Sequence, residues 1–290
     1  KKKSVVTFLL PCPNFLETKE ENPEMILEVF NALLPAATEN GIRVETLPVS
    51  KVNSPFAPEW DWLEHLDTDS RVFAYTTWFL PILLILARRG CRIALLSGEI
   101  FWRIIYAPLT KDWGLFTSLT NDGMIQMVHH LLGKGCERIA VASQYLGEPS
   151  AFDTLYHETL DKTDNSYRHP IRLDPIMPDD SICRRQLAEA WQKNPFDSLI
   201  LEMPMDLKIP PGASLAEACG LPASVKIICK YDRRSFETFS PTVSAVRYPI
   251  DRMTSDAVEF LLANELVPGE RFYRGTVMER ESTQNQGKEK

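Results

Sequence analysis

Short runs of branched and aromatic residues alternate along almost the whole chain with longer spans whose apolar residues recur every three or four positions. Val5–Leu10, Ile42–Val49, Val72–Thr77 and Ile93–Leu96 read as strands, and Pro23–Glu39 and Phe79–Arg89 as helices between them. The pattern continues with helices at Asp122–Leu132, Phe152–Leu160, Ile182–Lys193 and Leu215–Cys219. Strands at Arg138–Ala142, Arg172–Ile176, Ser198–Leu201 and Val225–Cys229 fall between and after them. A helix between two strands carries the chain back to the same sheet edge, so the strands pair in parallel through right-handed crossovers. The expected fold class is therefore α/β, with parallel sheets flanked by helices. Pro23 suits a first helical turn and Asn40-Gly41 a helix end, whereas Pro35 predicts a kink or an early stop. Asn53–Trp60 and Pro204–Gly212 read as Pro-rich loops.

The length of 290 residues is enough for two lobes. Arg89-Gly90-Cys91-Arg92-Ile93-Ala94 echoes Lys134-Gly135-Cys136-Glu137-Arg138-Ile139-Ala140, which fits lobes built from one strand–helix unit. A net charge of -7 argues against a nucleic-acid surface on this piece. The densest apolar stretch, Val72–Ala87, is broken by Pro81 and ends at Arg88-Arg89, so no membrane span is expected. The six cysteines include no C-x-x-C pair. They read as free buried thiols of a reducing cytoplasm, not as a disulfide framework. The run after Lys1-Lys2-Lys3 is too short for a signal peptide. The first residue is not Met, so a trimmed or processed fragment is expected.

From Ser240 the chain reads SPTVSAVRYPIDRMTSDAVEFLLANELVPGERFYRGTVMERESTQ. Val243, Ala245 and Arg247 alternate into Pro249. Ile250, Met253, Ala257, Val258, Leu261 and Leu262 then fall at helical spacing. A loop with Pro268 and Gly269 and a last strand, Val277–Arg280, are expected after them. Val246, Pro249 and Arg280-Glu281-Ser282-Thr283 resemble the closing pattern of the lactose-repressor (LacI/GalR) family's effector-binding core. Gly123 to Val128, His130-Leu131-Leu132, Gly135 and Arg138-Ile139-Ala140 resemble that family's G-x-x-x-A-x-x-H-L-x-x-x-G-H-x-x-I-A, with Cys136 at the usual His. Tyr231-Asp232 match its G-[FY]-D-D, with Lys230 at the Gly and Arg233 at the second Asp. The resemblance spans Gly123 to Thr283 by motif and the first half by element order.

The resemblance implies two Rossmann-like lobes, periplasmic-binding-protein-like type I, joined by three crossover strands near Thr117–Thr120, Ser244–Val246 and Thr276–Met278. The lobes would comprise residues 1–117 with 246–275 and 118–245 with 276–290. It also implies an effector, often a sugar or nucleobase, clasped at the carboxyl ends of the strands. Asp232 would accept hydrogen bonds from its hydroxyls. Other contact positions depart from the family: Phe152 stands at the usual Arg, Leu119 at an Asp, and Glu202-Met203 at an N-D pair. The remaining candidates lie at expected strand ends: Asn14, Phe15, Trp78, Gln144 and Tyr145. Aromatics with a few carboxylates and amides suit sugar rings.

Catalytic motifs are missing. Cys12 has no base beside it in sequence, and His129-His130 diverge on a helix. His157-Glu158 lacks a second His because residue 161 is Asp. No G-x-G-x-x-G, P-loop or G-x-S-x-G occurs. No cofactor, no metal and no enzymatic activity are expected.

The expected protein is the effector-sensing and dimerisation core of a bacterial transcriptional regulator. Its effector would be a small, carbohydrate-like molecule. It would reach operator DNA only through a domain outside this chain, of the LacI helix-turn-helix type or, as the divergent first half suggests, the winged-helix GntR type. The alternatives are a periplasmic solute-binding protein of a sugar transporter, which needs a secretion signal, and an interaction module with a silent cleft. A homodimer is expected, its face built from Met25–Leu34 and Phe79–Leu86 and including Leu83 and Leu86.

Overall fold

A computed structural model describes residues 5–12, 23–50, 63–75, 79–98, 108–143, 151–163, 165–173, 180–202, 209–265 and 267–284. It is α/β throughout. The chain divides into two compact units. One takes the stretch ending at Leu119 together with Pro249–Tyr273; the other takes Thr120–Tyr248 and the stretch from Arg274 onward. The chain thus passes between them three times.

The first unit holds strands β1 (Val5–Cys12), β2 (Arg43–Ser50), β3 (Arg71–Tyr75), β4 (Arg92–Gly98), β5 (Gly114–Ser118) and β11 (Gly269–Tyr273). Their order is β11-β5-β4-β3-β1-β2, and every neighbour pair is parallel. The second unit holds β6 (Ile139–Ser143), β7 (His169–Arg172), β8 (Ser198–Leu201), β9 (Lys226–Cys229), β10 (Ser244–Arg247) and β12 (Thr276–Met278). Their order is β12-β10-β9-β8-β6-β7, parallel except for the β10–β12 pair. Both sheets therefore repeat one doubly wound order, second-first-third-fourth-fifth strand, in which winding reverses between the first and third strands.

That equivalence corrects the sequence echo. Gly90 ends helix α2 (Leu80–Arg88) ahead of β4, while Gly135 follows helix α3 (Thr120–Gly133) ahead of β6. β4 is fourth in its unit and β6 first, so the echo joins elements that do not correspond. Its cause is local: both glycines adopt positive φ, +87° and +75°, the left-handed conformation that stops a helix.

Helix α1 (Pro23–Glu39) passes through Pro35 without stopping. Pro35 lies on the exposed side, where water can take the Asn31 carbonyl that loses its partner, while Ala36 and Ala37 continue the buried face. β7 begins three residues before its expected start, because Pro170 and Ile171 pair with β6. β11, not recognised as a strand from sequence, and β5, expected only as a crossing near Thr117–Thr120, form one edge of the first sheet, and β12 ends at Met278, not Arg280. Helix α7 (Ile250–Leu262) packs against α1. Arginines at the starts of β3 and β4 cap it: Arg71 donates to the Leu261 carbonyl at 2.9 Å and Arg92 to that of Ala263 at 2.6 Å.

Leu83 and Leu86 are fully buried in the first unit's core beside Val72, Ile82 and Ile93. They belong to that core and not to a dimer face. On α1 the exposed apolar side chains are Leu27 and Leu34, seven residues apart and so on one helical face.

In α3, Gly123 lies under Tyr248. A Cβ there would sit 2.4 Å from the tyrosine hydroxyl, and Tyr248 is buried. Gly123→Ala will therefore cost about 1–3 kcal/mol of stability by overpacking. Gly133→Ala, with nothing within 4 Å of its Cβ, will be neutral or stabilising. Urea midpoints of the two variants test this; equal midpoints would contradict the contact.

Cys91, Cys136, Cys183, Cys219 and Cys229 are buried and form no disulfide. Burial pushes the Cys91 thiol up to about 11 and the Cys219 thiol to about 12, from an ordinary 9.0. Burial also holds His130 and His169 below their ordinary 6.5. A raised thiol contributes stability below pH 9 that is lost as pH climbs toward the folded value, because the unfolded chain ionises first. A lowered histidine contributes stability above pH 6.5 that is lost as pH falls. Stability should therefore plateau between about pH 6.5 and 9 and decline on both sides. Urea midpoints at pH 5, 7.5 and 10.5 that coincide would contradict this balance.

Candidate functional site

Open parallel sheets bind ligands beyond the carboxyl ends of their strands, at the point where winding reverses. In the second unit that point lies between β6 and β8. Ser143 is the last residue of β6, and Glu202 follows the last residue of β8. The Ser143 hydroxyl donates to Glu202 Oε2. From the end of the neighbouring β9, Lys230 Nζ reaches Glu202 Oε1 at 2.5 Å. Glu202 is 3% exposed and Lys230 9%. A charge so far from water needs a partner, and each supplies the other's. Lys230 Nζ also stands 5.5 Å from the centroid of the Tyr231 ring, which in turn packs 5.7 Å from that of Tyr248.

Asp232, three residues past β9, centres a second cluster. Arg280 grips it bidentately, Nη1 to Oδ1 at 2.7 Å and Nη2 to Oδ2 at 3.1 Å. Arg247, at the end of β10, donates from Nε to Oδ2 at 2.6 Å, and the Arg233 amide donates to Oδ1 at 3.0 Å. Glu237 takes Arg280 at 3.2 Å and Arg247 at 3.4 Å. Burial opposes the charge of Arg280. The hydrogen bonds and charges of Asp232 and Glu237 outweigh it and hold its pKa above the ordinary value. The R-E-S-T tail is thereby tied to the sheet. Ser282 donates to the Ile227 carbonyl at 2.7 Å, and Thr283 contacts both Ser244 and His130 at 2.8 Å.

Of the residues singled out in the sequence, Glu202 and Asp232 both lie at the carboxyl edge of the second sheet, each engaged by protein cations. Phe152 falls on helix α4 (Ala151–Asp161), with its side chain outside the described residues. Asn14, Phe15, Trp78, Gln144 and Tyr145 lie outside the described residues. Sequence reasoning missed Ser143, Arg247, Arg280 and Lys230 as members of the edge. One signal was available: a Lys at the usual Gly and a Glu near the usual N-D pair are opposite charges at two departures from one pattern.

The same unit has a cavity of about 510 Å³ near the start of β9, lined by Leu215, Val225, Ile227, Pro241, Val243 and Ser282 among others. Its Ser282 and Glu281 are already occupied: Ser282 donates to Ile227, and Glu281 accepts from the Thr242 amide and hydroxyl. It lies at the amino-terminal side of the sheet, and its charged members Lys226 and Glu281 bond the Lys134 carbonyl and Thr242, so the carboxyl edge is the stronger candidate. Among the described residues no cluster of potential metal ligands occurs, and no helix is long and apolar enough to cross a membrane.

No family model and no curated protein sequence matches the chain. Solved structures share its fold. A LacI family transcriptional regulator from Arthrobacter sp. FB24, in complex with lactose, is 17% identical with a TM-score of 0.70, the match covering 98% of this chain and 100% of that one. The LacI family transcriptional regulator CCPA from Weissella paramesenteroides, with bound sucrose, is 15% identical at TM-score 0.65, covering 98% and 100%. The lac repressor dimer bound to operator and the anti-inducer ONPF is 12% identical at TM-score 0.65, covering 98% and 96%. At such identities the likeness establishes the fold: two mostly parallel sheets flanked by helices, of the LacI, periplasmic-binding-protein-like type.

Proposed function

We propose that this chain is the effector-sensing core of a bacterial transcriptional regulator. It takes a small, sugar-like molecule at the carboxyl edge of the second sheet and performs no catalysis. The observation that carries the reading is the buried Ser143–Glu202–Lys230 cluster at the point where that sheet's winding reverses. The lactose-bound and sucrose-bound structural relatives support a sugar-like ligand. Their LacI-type assignment supports a helix-turn-helix domain outside this chain for operator contact. It lends nothing to a winged-helix, GntR-type arrangement. Five buried thiols, none of them in a disulfide, support a reducing, cytoplasmic setting. The paired exposure of Leu27 and Leu34 on α1 supports a homodimer through that helix. The effector acts by shifting a conformational equilibrium, and only by as much as its affinities for the two states differ.

Thermal unfolding against mono- and disaccharides, uronic acids, amino sugars, sugar phosphates and nucleobases tests the reading. A compound at a hundred times its dissociation constant stabilises by about 2.7 kcal/mol, which raises Tm by roughly 5 °C or more. A shift lost in Glu202→Gln is the expected result. Unmoved Tm values across the whole panel would remove the sensing role.

A further inference from the structure

A count of donors and acceptors at the carboxyl edge of the second sheet narrows the class of ligand. An ionised carboxylate has acceptor sites for about four hydrogen bonds and no proton to give. Asp232 already receives four: two from Arg280, one from Arg247 and one from the Arg233 amide. Glu202 is buried at 3% exposure with Lys230 on one oxygen and Ser143 on the other. Among the described residues the two buried carboxylates at this edge are thus engaged by the protein's own groups, while the exposed Glu237 receives both arginines on Oε1 alone.

The donors are not all engaged. Arg247 has a side chain 47% exposed. It spends Nε and one terminal nitrogen on Asp232 and Glu237, and its other terminal nitrogen, Nη1, meets no acceptor among the described residues. A neutral polyol must donate protons as well as accept them, and to reach the buried carboxylates its hydroxyls would have to displace charge-assisted bonds from Asp232 or Glu202. An oxyanion only accepts, and a guanidinium offers it paired N–H groups in fork geometry.

We infer that the effector carries an anionic group, a carboxylate or a phosphate, and that Arg247 binds it. This deepens the sensing role proposed above and rests on the carboxyl edge being the effector site. The ordinary sugar contact expected of Asp232 is replaced: that residue orients Arg247, and the arginine contacts the ligand.

Calorimetric titration of the chain with three matched series tests the inference: glucose, galactose and mannose; their uronates; and their 6-phosphates. Inorganic phosphate is a fourth arm. The expected result is binding by members of the uronate or 6-phosphate series and none by their neutral parents. Which anionic series binds distinguishes carboxylate from phosphate. Arg247→Gln should weaken that binding roughly 10- to 100-fold, the worth of a charge-assisted hydrogen bond. Arg247→Lys should restore part of it, and both variants should unfold near the parent temperature because the side chain is half exposed. Neutral hexoses binding as tightly as their acids, or an anion whose affinity Arg247→Gln leaves unchanged, would overturn the anionic assignment and leave the sensing role standing. Inorganic phosphate binding alone would reduce the site to an adventitious ion only and overturn it as an effector assignment. Absence of binding by every series would overturn both.

Discussion

A Leu83→Asp/Leu86→Asp variant will be recovered unfolded or aggregated, not as a folded monomer. Both side chains have no exposed surface and lie in the first unit's core with Val72, Ile82, Leu95 and Trp113. Removing each leucine side chain costs about 2–5 kcal/mol before any charge is counted. Each aspartate then adds an unpaired carboxylate to an apolar interior, worth several kcal/mol more. The sum is as large as the 5–15 kcal/mol that holds an ordinary domain together. Leu27→Asp/Leu34→Asp is the informative contrast. Those side chains are 44% and 40% exposed, so that variant keeps its circular dichroism spectrum and melts near the parent temperature. If α1 carries the dimer face, sizing will show it as a monomer. A folded, soluble Leu83→Asp/Leu86→Asp protein would contradict the burial of those residues.

The second large effect is at the switch-point ion pair. Lys230→Met will lower stability by about 3–5 kcal/mol, because it strands Glu202 in a site with almost no water. Glu202→Leu alone strands the lysine with a similar penalty. The double variant Lys230→Met/Glu202→Leu will recover most of the loss, since two apolar side chains of similar volume commonly match or exceed a buried ion pair. Chemical denaturation of the four proteins measures the coupling as a double-mutant cycle. Additive losses would mean that the two charges do not depend on each other. The recovered double variant should be stable and unresponsive to ligand, which separates what the pair does for folding from what it does for recognition.

The fold was readable because it rests on periodicity and on stop signals. α7 and β8 were anticipated to the residue, and the alternation of strand and helix dictated parallel sheets. What periodicity could not show was the membership of edge strands. β11 has exposed Gly269, Arg271 and Phe272 and little apolar alternation, since its existence depends on backbone pairing with β5. Pro35 misled because its effect depends on which way the lost carbonyl faces, a tertiary fact. The same limit applies to the α2 leucines. Helical spacing marks Leu83 and Leu86 as one apolar face and cannot say whether that face meets the chain's own sheet or a second copy.

The candidate site was half legible. Asp232 and Glu202 were marked by their place in the pattern, and both lie at the carboxyl edge. Their condition was hidden, because the arginines that fill Asp232 come from 15 and 48 positions along the chain. Only folding brings Arg247 and Arg280 to one carboxylate.

Hydrogen exchange with and without the compound that raises Tm most would test the central claim directly. Protection confined to the peptides covering Ser143, Leu201–Glu202, Cys229–Asp232 and Ser244–Tyr248 is the result this account predicts. Protection centred on Ser214–Ala216, Ala223–Ile227 and Glu281–Gln284, around the cavity near the start of β9, would contradict it and move the ligand to the opposite side of the sheet.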